Sequence, residues 1–568
     1  MQLPGVTVEV HKLEAAPLVA YLCRELRVAE IIDAHVTWDR HRTEVSPGTA
    51  ITALLVNLLV RREPLYRIEW FFRDMDVEAL FGNGIEAGHF NDDRLARALD
   101  KFADADPWRI YHEIALGSPD ACSLVLDVIR LDTTSFSVQG SYDPADFEDA
   151  PFRITRGYSK DLRPDLKQFL FGLGSYGGLP LFADVMSGNQ SDKTWYGPWT
   201  ERITELLSPE VWNTLIVVAD SAFVTEENLN TYEKRWFISR MPETYRLCEA
   251  LKDRAFADES RWIEVGSVVQ EGKGAASYRI QGFEDELYGR TYRFVVVESS
   301  ALDQRKAKRL EKLVAEEAQA IEKAVAQQER LSYHCEADAK VALEDWRRRH
   351  NRWGFHHVTG QVVQERTVKR RVGRPRKTDP DQGNVEVVRW RVTFTVEPDT
   401  EAIEQRRRRD STFVLISNVP RTRRADDAEL LRDYKGQIEV ENLFRALKQP
   451  YFVHGIFVKT PKRVLALAYV FLLGLLVYAI IQHRVRQGMR QDQQTALAIA
   501  GAKFRSPTTR TLLKEFDGLT HVIVRLTDGT VTHHLQGLTE TGIQILRWIR
   551  IRTDNLLMGA SLPPAESG

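Results

Sequence analysis

The spacing of apolar residues changes several times along the chain, and each change predicts a change of element. Through residues 1–118 apolar residues recur at helical spacing. The clearest cases are Ala50 to Val60, preceded by Ser46-Pro47 as cap and first-turn residue, and DDRLARALDKF, capped by Asn91. Short Arg-bearing helices of this kind suit a helix-turn-helix-like DNA reader and, on pattern alone, equally suit a bundle packed on the next domain. From Ser123 the period becomes two: SLVLDVIRLDTTSFSV reads as a strand with Asp132 inside it. Lys167 to Leu173 and Leu179 to Met186 read as a hairpin around GSYGG, and Thr194 to Leu207 as a helix. Thr214 to Ala219 reads as a short buried strand ending at Asp220, and Phe223 onward as helix again.

From about Tyr245 this order is interrupted. Ser277 to Gly282 and Tyr292 to Val297 read as strands, and Leu302 to His350 as one long helix with Leu310, Val314, Ala318, Ile321 and Val325 on a stripe. Val385 to Val396 and Phe413 to Ile416 read as strands. Before them, ERTVKRRVGRPRKTDPDQG is too poor in apolar residues to pack and is expected to be a mobile basic loop. Val464 to Ile481 is apolar throughout and approaches the ~20 residues of a bilayer span. The expectation is a central helix buried on all sides, with no membrane partner. Three strands, a helix, a strand and a helix, with acids on the first and fourth strands, predict an α/β fold. Its core would be ribonuclease H-like, a mixed sheet flanked by helices.

Length and charge narrow the classes. A chain of 568 residues has room for three to four domains, and 43% hydrophobic with 28% charged residues excludes a wholly disordered chain and a multi-span membrane protein. Lys plus Arg number 78 against 80 for Asp plus Glu, a net charge of -2, so any DNA contact must run through patches. Cys23, Cys122, Cys248 and Cys335 form no CxxC pair for zinc, and the N-terminus carries no apolar secretory stretch. The expected place is a bacterial cytoplasm, on the nucleoid when bound to DNA.

GLGSYG at 172–177 matches a dinucleotide-binding template, but LPLFADV after it is a strand and not the required helix, so hairpin-turn glycines are expected. Asp132 is more informative, because a carboxylate within an apolar strand must find a partner or a metal to offset its desolvation. Asp127 is its rival on the opposite face, and Asp220 ends its strand at the edge where crevices form. Each acid singly is explained by structure; together on adjacent strands they make a hard-oxygen site for Mg²⁺. A third acid would come from YKGQIEVENLFRALK, residues 434–448, read as one helix. At roughly 100° per residue, Tyr434, Gln437, Glu441, Arg445 and Lys448 fall within about 80° of one another, and Glu439 lies roughly 160° from Glu441. Taken alone, that segment also reads as an ordinary surface helix with charge pairs. GRPRK at 373–377 looks like an AT-hook core, in which Arg374 and Arg376 would contact DNA by minor-groove insertion or by phosphate contact.

Six segments, LDTTSFSV, GYSKDLRPDLKQ, GNQSD, VVADSAFVTEEN, FISRMP and YKGQIEVENLFRALK, together resemble insertion-sequence transposases of the IS4/IS1634 group, in the same order and over residues 1 to about 490. The last segment is similar to that group's Tyr-Arg-Glu-Lys signature on Tyr434, Gln437, Glu441 and Lys448, with Gln437 departing from the expected Arg. The resemblance implies DDE chemistry: Asp132, Asp220 and Glu441 as catalytic metal ligands for two Mg²⁺ ions, with Mn²⁺ as the alternative, performing DNA strand cleavage and strand transfer. Tyr434, Gln437, Arg445 and Lys448 would contact the DNA. The partners implied are double-stranded DNA, as element ends and as target, and a second copy of the chain in a homodimer. The expected domains are a helical DNA-binding domain at 1–118, the core at 119–244 and 421–490, a β-rich insertion at 245–420 and a C-terminal region at 491–568. The rival readings are a ribonuclease H-like nuclease without strand transfer and a catalytically inactive DNA-binding protein.

Overall fold

The structure is a computed structural model that describes residues 6–41, 43–140, 142, 152–268, 276–301, 304–370, 384–448 and 460–556. It divides into two compact units, Met1–Arg240 with Ser417–Gly568, and Met241–Ile416.

The first unit is mixed α/β. Its first strand, β1 (Val6–Lys12), corrects the all-helical reading of residues 1–118. It pairs antiparallel with Thr520–Leu526, Val6 opposite Leu526 and Lys12 opposite Thr520, and Val531–Gln536 completes a three-stranded sheet. VTVEVHK does alternate, but the partner that gives it its ladder lies some five hundred residues away.

The remaining N-terminal elements are helical. Ser46 accepts from the Thr49 amide to cap Pro47–Val60, and Asn91 accepts from the Arg94 amide to cap Asp92–Asp104. With Pro107–Leu116, these helices pack around Pro461–Gln491. That helix is long and apolar enough to cross a membrane, with mean hydropathy 2.8 over its apolar window, but 94% of the window is buried within the protein. Near its C-terminal end the buried Arg484 guanidinium meets Asp120 at 2.6 Å and Glu25 at 2.5 Å. A lone buried cation would cost several kcal/mol, and these two carboxylates offset that cost.

The main sheet of this unit runs β4-β3-β2-β5-β6, formed by β2 (Val128–Val138), β3 (Lys167–Tyr176), β4 (Leu179–Ser187), β5 (Ile216–Ala219) and β6 (Trp236–Arg240). β2, β3 and β4 are antiparallel neighbours, whereas β5 lies parallel to β2 and β6 parallel to β5. The β3–β4 turn is Gly177-Gly178, with φ of 59° and 79°, values natural to a hairpin turn and available to glycine at little cost. Of the GLGSYG glycines expected in a hairpin turn, Gly177 lies in the turn, whereas Gly172 and Gly174 are residues of β3. Residues 434–448 are two helices, Asp427–Lys435 and Ile438–Leu447, which corrects the single-helix reading. The break falls at Gly436, where an added Cβ would lie 2.3 Å from the Arg130 guanidinium.

The second unit contains an antiparallel meander, Ile263–Ser267, Ser277–Leu287 and Arg290–Ser299. It also has a two-stranded ribbon, His356–Arg370 with Asn384–Pro398, Arg370 lying opposite Asn384. The basic-loop reading is therefore corrected for residues 366–370: Arg366 and Lys369 are ladder residues, and Arg366 faces Glu386 at 3.6 Å. An exposed ribbon tolerates charge on both faces, which is why low apolar content misled there. Residues 371–383, with Arg374 and Arg376, lie outside the described residues. The long helix is also corrected to Gln304–Glu329 and Glu336–Arg349. Between them Tyr333 exchanges backbone hydrogen bonds with Trp390 of the ribbon, at 2.8 and 2.9 Å, and this pairing turns the chain.

Candidate functional site

β2 and β5 set the geometry. Their parallel register pairs Val128 with Ile216, Ile129 with Val217 and Arg130 with Val218. Continued two residues, the same register brings Asp132 level with Asp220, one residue past the end of β5. The two predicted acids thus lie side by side just past the last paired residues of β2 and β5, while β2 runs on beside β3, and a crevice can open where parallel strands stop pairing.

Each carboxylate is held differently. Asp132 Oδ1 accepts from the Thr133 amide at 2.8 Å, and Lys160 Nζ stands 3.8 Å away. Burial raises the Asp132 carboxyl to about 7; Lys160 pulls it down, and Asp220 and Asp192 push it further up. Asp220 Oδ1 accepts from the Tyr196 hydroxyl at 2.9 Å and from the Ala222 amide at 3.1 Å, which fixes the chain as it leaves β5. Tyr196 is fully buried, edge-on to Phe223 at 5.1 Å. Its phenol is pushed well above its ordinary value, by burial first and then by Asp220.

Lys160, Asp192 and Tyr196 of this cluster were not among the predicted site residues. Lys160 Nζ lies 3.0 Å from Asp192 Oδ2 and donates to the Thr133 carbonyl at 2.7 Å, while Thr133 Oγ1 donates to Asp192 Oδ1 at 2.6 Å. Lys160 and Asp192 both fall in segments that carried the family resemblance, GYSKDLRPDLKQ and GNQSD. That was the signal from which they could have been chosen.

The other predicted residues distribute around this cluster. Burial pushes the Tyr434 phenol up to about 12; Arg240 opposes the shift, while Asp220, Glu441 and Asp132 add to it. Tyr434 therefore stands within electrostatic reach of all three predicted acids. Glu441 is exposed on Ile438–Leu447. Glu439 is tied down, its Oε2 accepting from Arg130 Nη1 at 3.3 Å and from the Gly178 amide at 3.2 Å. Gln437 is buried and directs Nε2 to the Leu131 carbonyl at 3.4 Å, a long contact that ties the helix to β2 beside Asp132. Lys448 Nζ lies 2.5 Å from Asp161, next to Lys160. Arg445 bonds Asn442 and lines a separate cavity. The rival acid Asp127 is held by Arg424 at 3.2 Å, an ordinary structural ion pair.

The donor set fits a hard cation. Two adjacent carboxylates, one of them raised by burial and then by its acidic neighbours, would gain most from a divalent charge. Among the described residues no group of three or more His, Cys, Asp or Glu side chains is close enough to hold a metal ion. The pair that fits is Asp132 with Asp220, and Mg²⁺ characteristically takes only one or two carboxylates, leaving other positions for phosphate and water.

A domain family described as a domain of unknown function, DUF4277, matches residues 8–116. No curated protein matches the chain. Among solved structures, the chain is similar to a piggyBac transposase in a synaptic complex with hairpin DNA, at 12% identity and a TM-score of 0.27. The similarity covers 50% of this chain, which spans 61% of that protein's length.

Proposed function

We propose that the chain is a DNA transposase of the insertion-sequence type, built on a ribonuclease H-like core and working by a DDE mechanism. The single observation that carries this reading is the register of Asp132 and Asp220 on the adjacent parallel strands β2 and β5. The sheet around them supports it: three antiparallel strands followed by two parallel ones, in the order β4-β3-β2-β5-β6, form the arrangement such a core requires. The order of six motifs supports the finer assignment to the IS4/IS1634 group.

In this account Asp132 and Asp220, joined by Glu441, would hold two Mg²⁺ ions, with Mn²⁺ as the alternative. When bound, the metal lowers the pKa of a water and neutralises charge building on phosphate oxygens. The chain's own residues prepare that chemistry. Tyr196 holds the Asp220 carboxylate in one orientation, and Lys160 keeps Asp132 and Asp192 from repelling one another apart. Tyr434 and Lys448 would offer a phenol and an ammonium to a DNA strand entering the crevice, and Gln437 ties the start of Ile438–Leu447 to β2. Cleavage forms one P–O bond from water and breaks one to the strand's 3′ oxygen. Strand transfer then repeats the displacement, with the freed 3′-hydroxyl attacking a target phosphorus. The N-terminal helices, Arg374 and Arg376 would supply further DNA contacts, and two copies of the chain would hold two element ends in the bacterial cytoplasm.

The test incubates the full-length protein with Mg²⁺ and duplexes carrying the sequences that flank its gene. Cleaved and joined products are expected. Cleavage without joining would indicate a nuclease, and binding without cleavage an inactive DNA-binding protein.

A further inference from the structure

A second cavity, of about 400 Å³, lies on the side of Ile438–Leu447 that carries Glu439, Asn442 and Arg445. Its other walls are the Gly177-Gly178 turn, the C-terminal half of Pro461–Gln491 and the segment at Ser506 and Thr508. The lining is cationic: Arg445, Arg486 and Arg490 contribute guanidinium groups, and among the described residues Glu439 is its one acid. That acid is already engaged by Arg130 and the Gly178 amide.

Arg486 is the telling residue. Its Nε is buried with no hydrogen-bond partner among the described residues. Burial holds its guanidinium below the ordinary arginine value; Tyr478 acts in the opposite direction, and the neighbouring cation Arg490 lowers it further. Such an arrangement contrasts with Arg484 two residues earlier on the same helix, which two carboxylates satisfy. A buried guanidinium nitrogen left without a partner beside a polar cavity costs free energy that an anion would recover, and the group's planar fork matches the oxygens of a phosphate. Three guanidiniums with the hydroxyls of Ser506 and Thr508 offer more donors than a carboxylate can accept, while a tetrahedral phosphate has the oxygens to use them.

We propose that this cavity binds a phosphate group through Arg486 and Arg490, with Arg445 at the rim. The phosphate could come from a DNA backbone or from free phosphate in solution. The first source rests on the DNA-processing reading given above, and the second does not.

The experiment uses the full chain and two variants, Arg486→Gln and Arg490→Gln. The second replaces an exposed residue, so it remains informative should the first fail to fold. Inorganic phosphate is titrated by calorimetry, and an arbitrary-sequence duplex by fluorescence anisotropy at several salt concentrations. Each variant is expected to weaken phosphate binding by about tenfold, or to weaken duplex binding and lower its salt slope by about 1. A change in the phosphate arm alone identifies free phosphate as the ligand, and a change in the duplex arm identifies the DNA backbone. Because the phosphate arm needs no strand cleavage, it stands or falls apart from the catalytic reading. If wild-type protein binds no inorganic phosphate and both variants keep the wild-type duplex affinity and salt slope, the proposal is overturned.

Discussion

The Tyr196 hydroxyl donates to Asp220 Oδ1 at 2.9 Å from a fully buried ring. A hydrogen bond to a carboxylate contributes roughly 1.5–3 kcal/mol, more than a neutral one, and here it also fixes which way the acid points. Tyr196→Phe keeps the ring packing and removes only the donor. It is expected to lower stability by about 2 kcal/mol in denaturant titrations and to slow strand cleavage without abolishing it. Stability and cleavage both at wild-type levels would show that the contact does not position Asp220.

Glu439 and Glu441 lie on one helix in different surroundings. Glu439 accepts from Arg130 and the Gly178 amide, whereas Glu441 is exposed and acts electrostatically on Tyr434. Glu439→Gln should cost about 1 kcal/mol of stability and leave cleavage close to normal. Glu441→Gln should leave stability unchanged and remove Mg²⁺-dependent cleavage while duplex binding persists. The reverse pattern in the same assays would reassign the third acid.

The site's legibility in sequence follows from how local each signal is. Asp132 and Asp220 stood out because period-two alternation marks β2 and a short apolar run marks β5, and a carboxylate in either is conspicuous. Lys160, Asp192 and Tyr196 did not, since they come from loops and a helix start whose convergence is purely tertiary. The same reason hid β1, whose partner is Thr520–Leu526. A helical projection grouped Tyr434 with Glu441 and Arg445, but the break at Gly436 puts Tyr434 on a separate helix, and Arg445 lines a separate cavity. The apolar run of Pro461–Gln491 gave its burial correctly, because no other segment suggested a membrane.

His112 should make stability fall with acid. It is fully buried, its Nδ1 donates to the Trp108 carbonyl at 2.7 Å, and its Nε2 accepts from the Ala183 amide at 3.2 Å. Burial lowers its pKa from 6.5 to about 3. The unfolded chain therefore takes up a proton that the folded one refuses. The stability from neutral His112 is complete above the unfolded value and is lost as pH falls from about 6.5 towards 3, by up to ~1.4 kcal/mol per pH unit. Urea titrations between pH 7 and 4 should show this slope in the wild type and a shallower one in His112→Gln. Equal slopes would contradict it.

Asp120 and Arg484 test the anchoring of the long helix. Asp120→Asn leaves a buried guanidinium with Glu25 as its remaining carboxylate partner, and should cost about 3 kcal/mol. Chemical denaturation measures the loss, and a change under 1 kcal/mol would mean that Glu25 suffices.

The central claim, that Asp132 and Asp220 form a metal-dependent phosphoryl-transfer site, is tested most directly by one rate measurement. Strand cleavage of a duplex carrying the flanking sequences is followed against Mg²⁺ concentration for wild-type protein and Asp220→Asn, with duplex binding measured in parallel. Loss of one charged ligand should remove several kcal/mol of transition-state stabilisation, so the expected rate is lower by about 10³-fold with binding intact. Cleavage by Asp220→Asn at the wild-type rate and with the wild-type Mg²⁺ dependence would contradict it.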